Sequence, residues 1–266
     1  MIEIPLGAPA AEPRLHFLVA GFVILALGVA LLTYRRSSVP LSSIAGTRRA
    51  LLSIIIYGLC GLCFWRVMSP GLLAGQQSPW LLALGDVIFV TLGLFAWVIA
   101  LAEARPWREY GFHMDGSARV ALTLALAAVA AFLITFPAYS TIGAGSVRIT
   151  ADSMVFAFLF ASVGSALPEE LLFRGYLQGS LHGQVNRWAE VMFPAVAFAI
   201  FRSARYLPGD DLDLYGWMRY VLGVALPLGM WWGLMRDLAG GSLWPSLVSH
   251  FVVEFGNALA GASPRA

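Results

Sequence analysis

Leu167-Pro168-Glu169-Glu170-Leu171-Leu172-Phe173-Arg174-Gly175 lies inside an apolar run that starts near Met154. A run of this length is a candidate membrane span, because about 20 apolar residues in a helix cross the hydrocarbon core. A carboxylate at that depth costs about 2.5–3.5 kcal/mol on insertion scales. Two adjacent ones are hard to explain as filler. On a helix they point about 100° apart, so both can face a bundle interior without meeting at one spot. Arg174 falls four residues beyond Glu170, one turn along the same face, where an ion pair is natural. That pairing makes Glu170 structural and leaves Glu169 as the free carboxylate, able to polarise a water. Pro168 cannot donate a backbone hydrogen bond, so a kink is expected where the acids begin, admitting water and exposing carbonyls. The same trio is also consistent with a buried salt bridge that locks two helices together.

The rest of the chain agrees that the solvent is largely lipid. Of its 266 residues, 59% are hydrophobic and only 12% charged, and the mean hydropathy is +0.77. A soluble domain carries about twice that charge. The fold class expected is all-α: a polytopic integral membrane protein of about eight transmembrane helices. The spans run from about Phe17 to Tyr34, Arg49 to Arg66, Trp80 to Leu101, Val120 to Phe136, Met154 onward, Trp188 to Phe201, Trp217 to Met235 and Leu243 to Ala260. Every basic residue is Arg, and the arginines cluster in alternate loops: Arg35, Arg36, Arg48 and Arg49, then Arg105, Arg108 and Arg119, then Arg187, then Arg236. The positive-inside rule makes those loops cytoplasmic and puts both termini on the other side. The acidic Asp210–Asp213 loop falls on that opposite face. This spread of charge suits orientation in a cell (inner or plasma) membrane and excludes nucleic acid as a partner. Cys60 and Cys63 sit in an apolar run and supply neither a disulfide framework nor a complete metal site, so no cofactor or metal is expected. The first apolar run is long enough to remain as a span, so no cleaved signal is expected.

His250, in Trp244-Pro245-Ser246-Leu247-Val248-Ser249-His250, lies near the middle of the last run, with Glu254 one turn further on. A lone histidine in an apolar helix is commonly a hydrogen-bonded core residue. One with a carboxylate at i+4, in a chain with a second buried Glu pair, is a candidate catalyst. Entering from its own side, His250 is about eight residues deep, near 12 Å at about 1.5 Å per residue. Glu169, approached from the opposite side, reaches a similar depth. The two sites can therefore meet.

Glu169-Glu170-Leu171-Leu172-Phe173-Arg174 resembles the EExxxR signature of the CAAX-protease and bacteriocin-processing (CPBP) family of intramembrane proteases, which includes the type II CAAX prenyl endopeptidase. Phe198-Ala199-Ile200-Phe201-Arg202 stands in the place of that family's FxxxH motif, and His250-Phe251-Val252-Val253-Glu254 in the place of HxxxN or HxxxD. The junction Arg105-Pro106-Trp107-Arg108-Glu109-Tyr110-Gly111-Phe112 resembles the family's lead-in to its core. The resemblance implies two regions: 1–104, a variable N-terminal part of about three spans, and 105–266, a protease core of about five. It also implies a metal-independent glutamate peptidase. Glu169 would be the base that activates water, Glu170 with Arg174 would hold the geometry, and His250 with position 254 would stabilise the oxyanion or orient the scissile carbonyl. Two positions depart from the pattern: Arg202 replaces a histidine, and Glu254 replaces Asn or Asp. Arginine stays protonated and cannot act as a base. It can hold an oxyanion, or pair with Glu169 or Glu254 and weaken that acid as a base.

Three functions follow. The first is an intramembrane endopeptidase acting on a membrane-anchored peptide or protein, such as a C-terminal sorting tail, a leader or a CAAX-like tail. The second is a catalytically inactive scaffold or immunity protein of the same fold. The third, a transporter using the Glu pair as a cation site, is disfavoured because the chain has no internal repeat.

Overall fold

The computed structural model describes residues 40–73, 95–143, 150–203 and 214–262. The expected first span, Phe17 to Tyr34, the Asp210–Asp213 loop and the side chains of Cys60 and Cys63 lie outside the described part. Within it, all regular structure is helical. Helix α1 is Ile44–Leu73, α2 is described over 95–103, and α3 is Ser117–Gly143. Helix α4 runs over 151–181, α5 is Arg187–Ser203, α6 covers 214–238, and α7 is Trp244–Ala262. These helices fall where the apolar runs were read.

The polarity of the bundle is inverted relative to a soluble protein. Leu122, Leu126, Val129 and Leu133 recur along one face of α3 and are all more than half exposed, while Glu170, Arg174 and His250 are wholly buried. Soluble proteins rarely bury charge this way, and they cover apolar stripes of this length. Among the described residues, Ser117–Thr135 is the one segment long and apolar enough to cross a membrane, with a mean hydropathy of 2.1. Three other helices have physical reasons to fall short of that standard: α5 has 17 residues, and α4 and α6 are interrupted by wide turns.

Those wide turns are π-helical, Phe160–Ala166 and Glu170–Gln178 in α4 and Val221–Ala225 in α6. The first and the last each stop two residues before a proline, Pro168 and Pro227. A proline ring collides with the carbonyl four residues back and offers no N–H. Shifting the preceding turn to i→i+5 bonding relieves both problems without ending the helix, as π-bulges near functional sites commonly do. The backbone thus stays helical through the point where the kink was expected. Ala166 (φ −58°, ψ −49°) and Glu169 (φ −70°, ψ −43°) stay helical on either side of it.

Helix α7 packs along α3 and the first wide turn of α4, while α5 packs on α6 and on the second wide turn of α4. The junction after α2 fastens one end of this arrangement. Trp107, in the 3₁₀ turn Trp107–Tyr110, meets Trp97 edge-on at 4.9 Å, and Phe112 meets Trp244 at 5.8 Å. The Gly111 carbonyl accepts the Leu243 N–H at 2.8 Å. Gly111 has φ +97°, and a Cβ there would stand 2.6 Å from the Gly241 carbonyl oxygen, so only glycine lets the two backbones meet. As a result the α2–α3, α4–α5 and α6–α7 connections share one end of the bundle, as alternate loops should.

Candidate active site

Three helices deliver the candidate residues to one buried point. Helix α4 brings Glu169, Glu170 and Arg174, α5 brings Arg202, and α7 brings His250 and Glu254. Arg202 is the hub. Its Nε donates to Glu169 Oε2 at 2.7 Å, and its Nη2 donates to Ser165 Oγ at 2.8 Å and to Glu254 Oε1 at 2.9 Å. The same Nη2 lies 2.9 Å from His250 Nε2. His250 Nδ1 lies 2.9 Å from Glu170 Oε1, and Arg174 Nη1 is 3.1 Å from that same oxygen. The depth estimate is met, because His250 Nε2 stands 3.8 Å from Glu169 Oε2 and 3.8 Å from Glu254 Oε1.

The partners fix the imidazole. A carboxylate only accepts and a guanidinium only donates. The arrangement fits a proton on Nδ1, donated to Glu170, and a lone pair on Nε2 that shares the two Nη2 hydrogens of Arg202 with Ser165 and Glu254. Trp232 holds the ring in place by stacking on it at 3.7 Å and 15°, and its own Nε1 donates to Ser249 Oγ at 3.2 Å. Arg174 is wholly buried, donates to the Gly229 carbonyl at 3.0 Å, and lies over the Phe198 ring at 4.5 Å. A buried guanidinium needs such aromatic faces and carbonyls in place of water.

Two features differ from the sequence reading. Glu169 is not free: Arg202 occupies its Oε2. Among the described residues its Oε1 has only Ser165 Oγ, at a long 3.3 Å, so one oxygen of this acid is lightly engaged. Glu170 does more than pair with Arg174, since it also orients His250. Arg202 pairs with both Glu169 and Glu254, so the two departures from the family pattern touch each other. With the imidazole neutral, the carboxylates of Glu169, Glu170 and Glu254 outnumber the guanidinium groups of Arg174 and Arg202 by one.

Sequence reasoning did not single out Ser165, Gly229 or Trp232. Ser165 had a signal, since it precedes Glu169 by one helical turn. Gly229 acts through its backbone and Trp232 through stacking, and neither role leaves a trace in an apolar run. Among the described residues no group of three or more His, Cys, Asp or Glu side chains is arranged to hold a metal ion.

Residues 151–256 match the family described as type II CAAX prenyl endopeptidase Rce1-like. No curated protein and no solved structure matches the chain. The matched segment opens at the start of α4 and closes just past Glu254, so it contains every member of the charged network. Over that segment the chain is similar to the CAAX-protease and bacteriocin-processing family.

Proposed function

We propose that this protein is a glutamate-dependent intramembrane endopeptidase that cuts a membrane-associated peptide segment. The observation that carries the reading is the lightly engaged Oε1 of Glu169, beside an imidazole whose tautomer is already set by Glu170. A water bound at that oxygen gives its proton to Glu169 while its oxygen attacks the scissile carbonyl carbon. The charge lost from Glu169 reappears on the carbonyl oxygen as an oxyanion. Arg202, released from a neutralised Glu169, turns its donors to that oxyanion, so no net charge is created in the buried centre. Collapse of the tetrahedral intermediate breaks the C–N bond, and Glu169 returns the proton to the leaving amine. A cation already stands among the acids, and its charge opposes a second one, so the reaction is metal-independent. Ser165 keeps Glu169 and Arg202 in register.

Around this centre we infer a multi-pass protein of the cell membrane with about eight spans, a variable region at 1–104 and a catalytic core at 105–266. Sorting tails, leaders and CAAX-like tails are the substrate classes that fit a centre reached from the bilayer. Glu169→Gln keeps size and hydrogen bonding but cannot take a proton at neutral pH. It is expected to abolish cleavage of a lipid-anchored reporter peptide at unchanged membrane abundance, and chelators should leave the wild-type rate intact. Full activity in Glu169→Gln, or metal-reversible inhibition by a chelator, would sink the mechanism. For topology, a reporter fused after Ala266 should be active only outside the cytoplasm.

A second reading is favoured by one specific contact. Arg202 Nη2 stands within 2.9 Å of both His250 Nε2 and Glu254 Oε1, where a water shared by base and imidazole would otherwise sit. On that reading the centre is closed and the protein is a non-hydrolytic scaffold or immunity factor. Arg202→His separates the two: it gains cleavage over an inactive parent if the centre is retired, and loses cleavage if Arg202 serves the oxyanion.

A further inference from the structure

At the end of the bundle where alternate loops gather, a cavity of about 800 Å³ opens away from the charged network. Neither the EExxxR segment nor His250 lines it. Its walls come from the junction after α2, the end of α4, the start of α5 and the α6–α7 turn. Most of its acids are already spoken for. Glu103 is held by Arg105 at 2.6 Å, Glu109 by Arg105 at 3.4 Å, and Asp237 by Arg187 at 2.6 Å.

Arg236 is different. It lines the cavity, is only 6% exposed, and its Nε has no hydrogen-bond partner. Its nearest carboxylate, Glu190, is 3.9 Å away and is shared with His182 at 3.3 Å. Burial pushes the Arg236 pKa down to about 10, with Glu190, Asp237 and Glu170 only partly offsetting it. A buried guanidinium with an unpaired donor is a costly group unless an anion beside it offsets the charge. The floor beside it is Gly179, where a Cβ would stand 3.3 Å from Arg236 Nη2. Gly179 is in ordinary helical conformation, so its lack of a side chain keeps space clear and meets no backbone need.

We infer that this cavity binds a phosphate group through the Arg236 guanidinium, with Gly179 leaving the room for it. Guanidinium and phosphate match in a two-point geometry. The cavity is also large enough for a small polar ligand. Two sources share that chemistry, the headgroup of an acidic phospholipid and a free phosphate compound. The position at the end of the helices, among arginine-bearing loops, favours the headgroup, since acidic headgroups gather at that level of a bilayer.

The test uses the full chain in an uncharged detergent, with unfolding temperature read against added ligand. Short-chain phosphatidic acid should raise the unfolding temperature saturably, and short-chain diacylglycerol, which lacks the phosphate, should not. Arg236→Gln should weaken the apparent affinity at least about tenfold, the scale of losing a charge-assisted hydrogen bond. Gly179→Leu should do the same by filling the floor, and it keeps the proposal testable if Arg236→Gln fails to fold. Equal stabilisation by inorganic phosphate would assign the site to a soluble phosphate compound, and stabilisation by phosphatidic acid alone to a lipid. The inference is overturned if neither phosphate source shifts the wild type, or if the shift survives in a folded Arg236→Gln or Gly179→Leu variant.

Discussion

Glu103 and Glu169 are both buried carboxylates in a mostly apolar chain, 2% and 5% exposed, yet their surroundings are opposite. Glu103 is rich in donors. Arg105 Nε reaches its Oε2 at 2.6 Å and Tyr110 Oη the same oxygen at 3.0 Å, while Tyr176 Oη donates to Oε1 and Arg49 lies 3.9 Å from it. Arg105 also makes a longer contact to Glu109, at 3.4 Å. Glu169 is poor in donors. It shares Arg202 with Glu254, Ser165 and His250. A buried acid with more donors than it needs is a fastening: its charge is fully compensated and nothing is left to do chemistry. An acid that must share its hydrogen-bonded guanidinium, in a cluster with one carboxylate too many, can exchange that partner for a proton, as a general base must. Both clusters bury charge in an apolar protein. Only the second has reason to react.

The largest effects come from breaking charge pairs outright. Arg174→Ala strips Glu170 of its 3.1 Å guanidinium and leaves an uncompensated carboxylate in the centre. Loss of about 3–5 kcal/mol is expected, seen as lower yield and a lower unfolding temperature in detergent. Glu103→Ala should cost a similar amount by removing the 2.6 Å partner of Arg105 and the shared acceptor of two tyrosine hydroxyls. The comparison is sharpened by activity per folded molecule: Glu103→Ala should retain it, while Glu169→Gln should lose it at nearly unchanged stability. If Glu103→Ala abolished cleavage in fully folded protein, the division into fastening and reactive centre would fail.

A smaller effect tests whether the two departures from the family pattern form one unit. Arg202 Nη2 and Glu254 Oε1 are 2.9 Å apart. A double-mutant cycle with Arg202→Ala and Glu254→Ala should therefore give a coupling of about 0.5–3 kcal/mol in unfolding free energy. Additive losses would show that the contact carries no energy, and the idea of a charge-compensated pair would have to be abandoned.

The chain made its candidate catalytic cluster more legible than its fastening. Charge at membrane depth is so costly that each polar residue in an apolar run attracts attention. That is why Glu169, Glu170, Arg174, Arg202, His250 and Glu254 could be chosen from sequence and are found together. Helix positions followed from apolar runs for the same reason. The conformation at Pro168 was harder to foresee, because a missing N–H announces disruption without saying whether a wide turn will absorb it. The partner of Glu169 was undetermined because Arg202 had two acids within plausible reach and takes both. Glu103 gave little signal. It sits in a charged junction where acids are ordinary, and its tyrosine partners are seven and 73 residues away. Nothing in local spacing links them.

The smallest expected effect concerns that fastening and is read by pH. Burial first, and then the negative charge of Glu103, push the Tyr110 phenol well above its ordinary value of 10.0. The folded protein therefore keeps this proton at pH values where the unfolded chain releases it. Below pH 10 the phenol is protonated in both states, so its contribution to stability is complete. Above pH 10 the unfolded state binds fewer protons than the folded one, and stability falls as pH rises. The loss is on the order of 1 kcal/mol per pH unit, since one pKa unit is about 1.36 kcal/mol. Unfolding temperatures measured in detergent at pH 8 to 11 should decline above pH 10 in the wild type. Tyr110→Phe, which loses the 3.0 Å bond to Glu103, should start lower and decline less. If both proteins decline with the same slope, Tyr110 ionises as readily in the fold as outside it, and Glu103 is less tightly enclosed by its donors than the geometry implies.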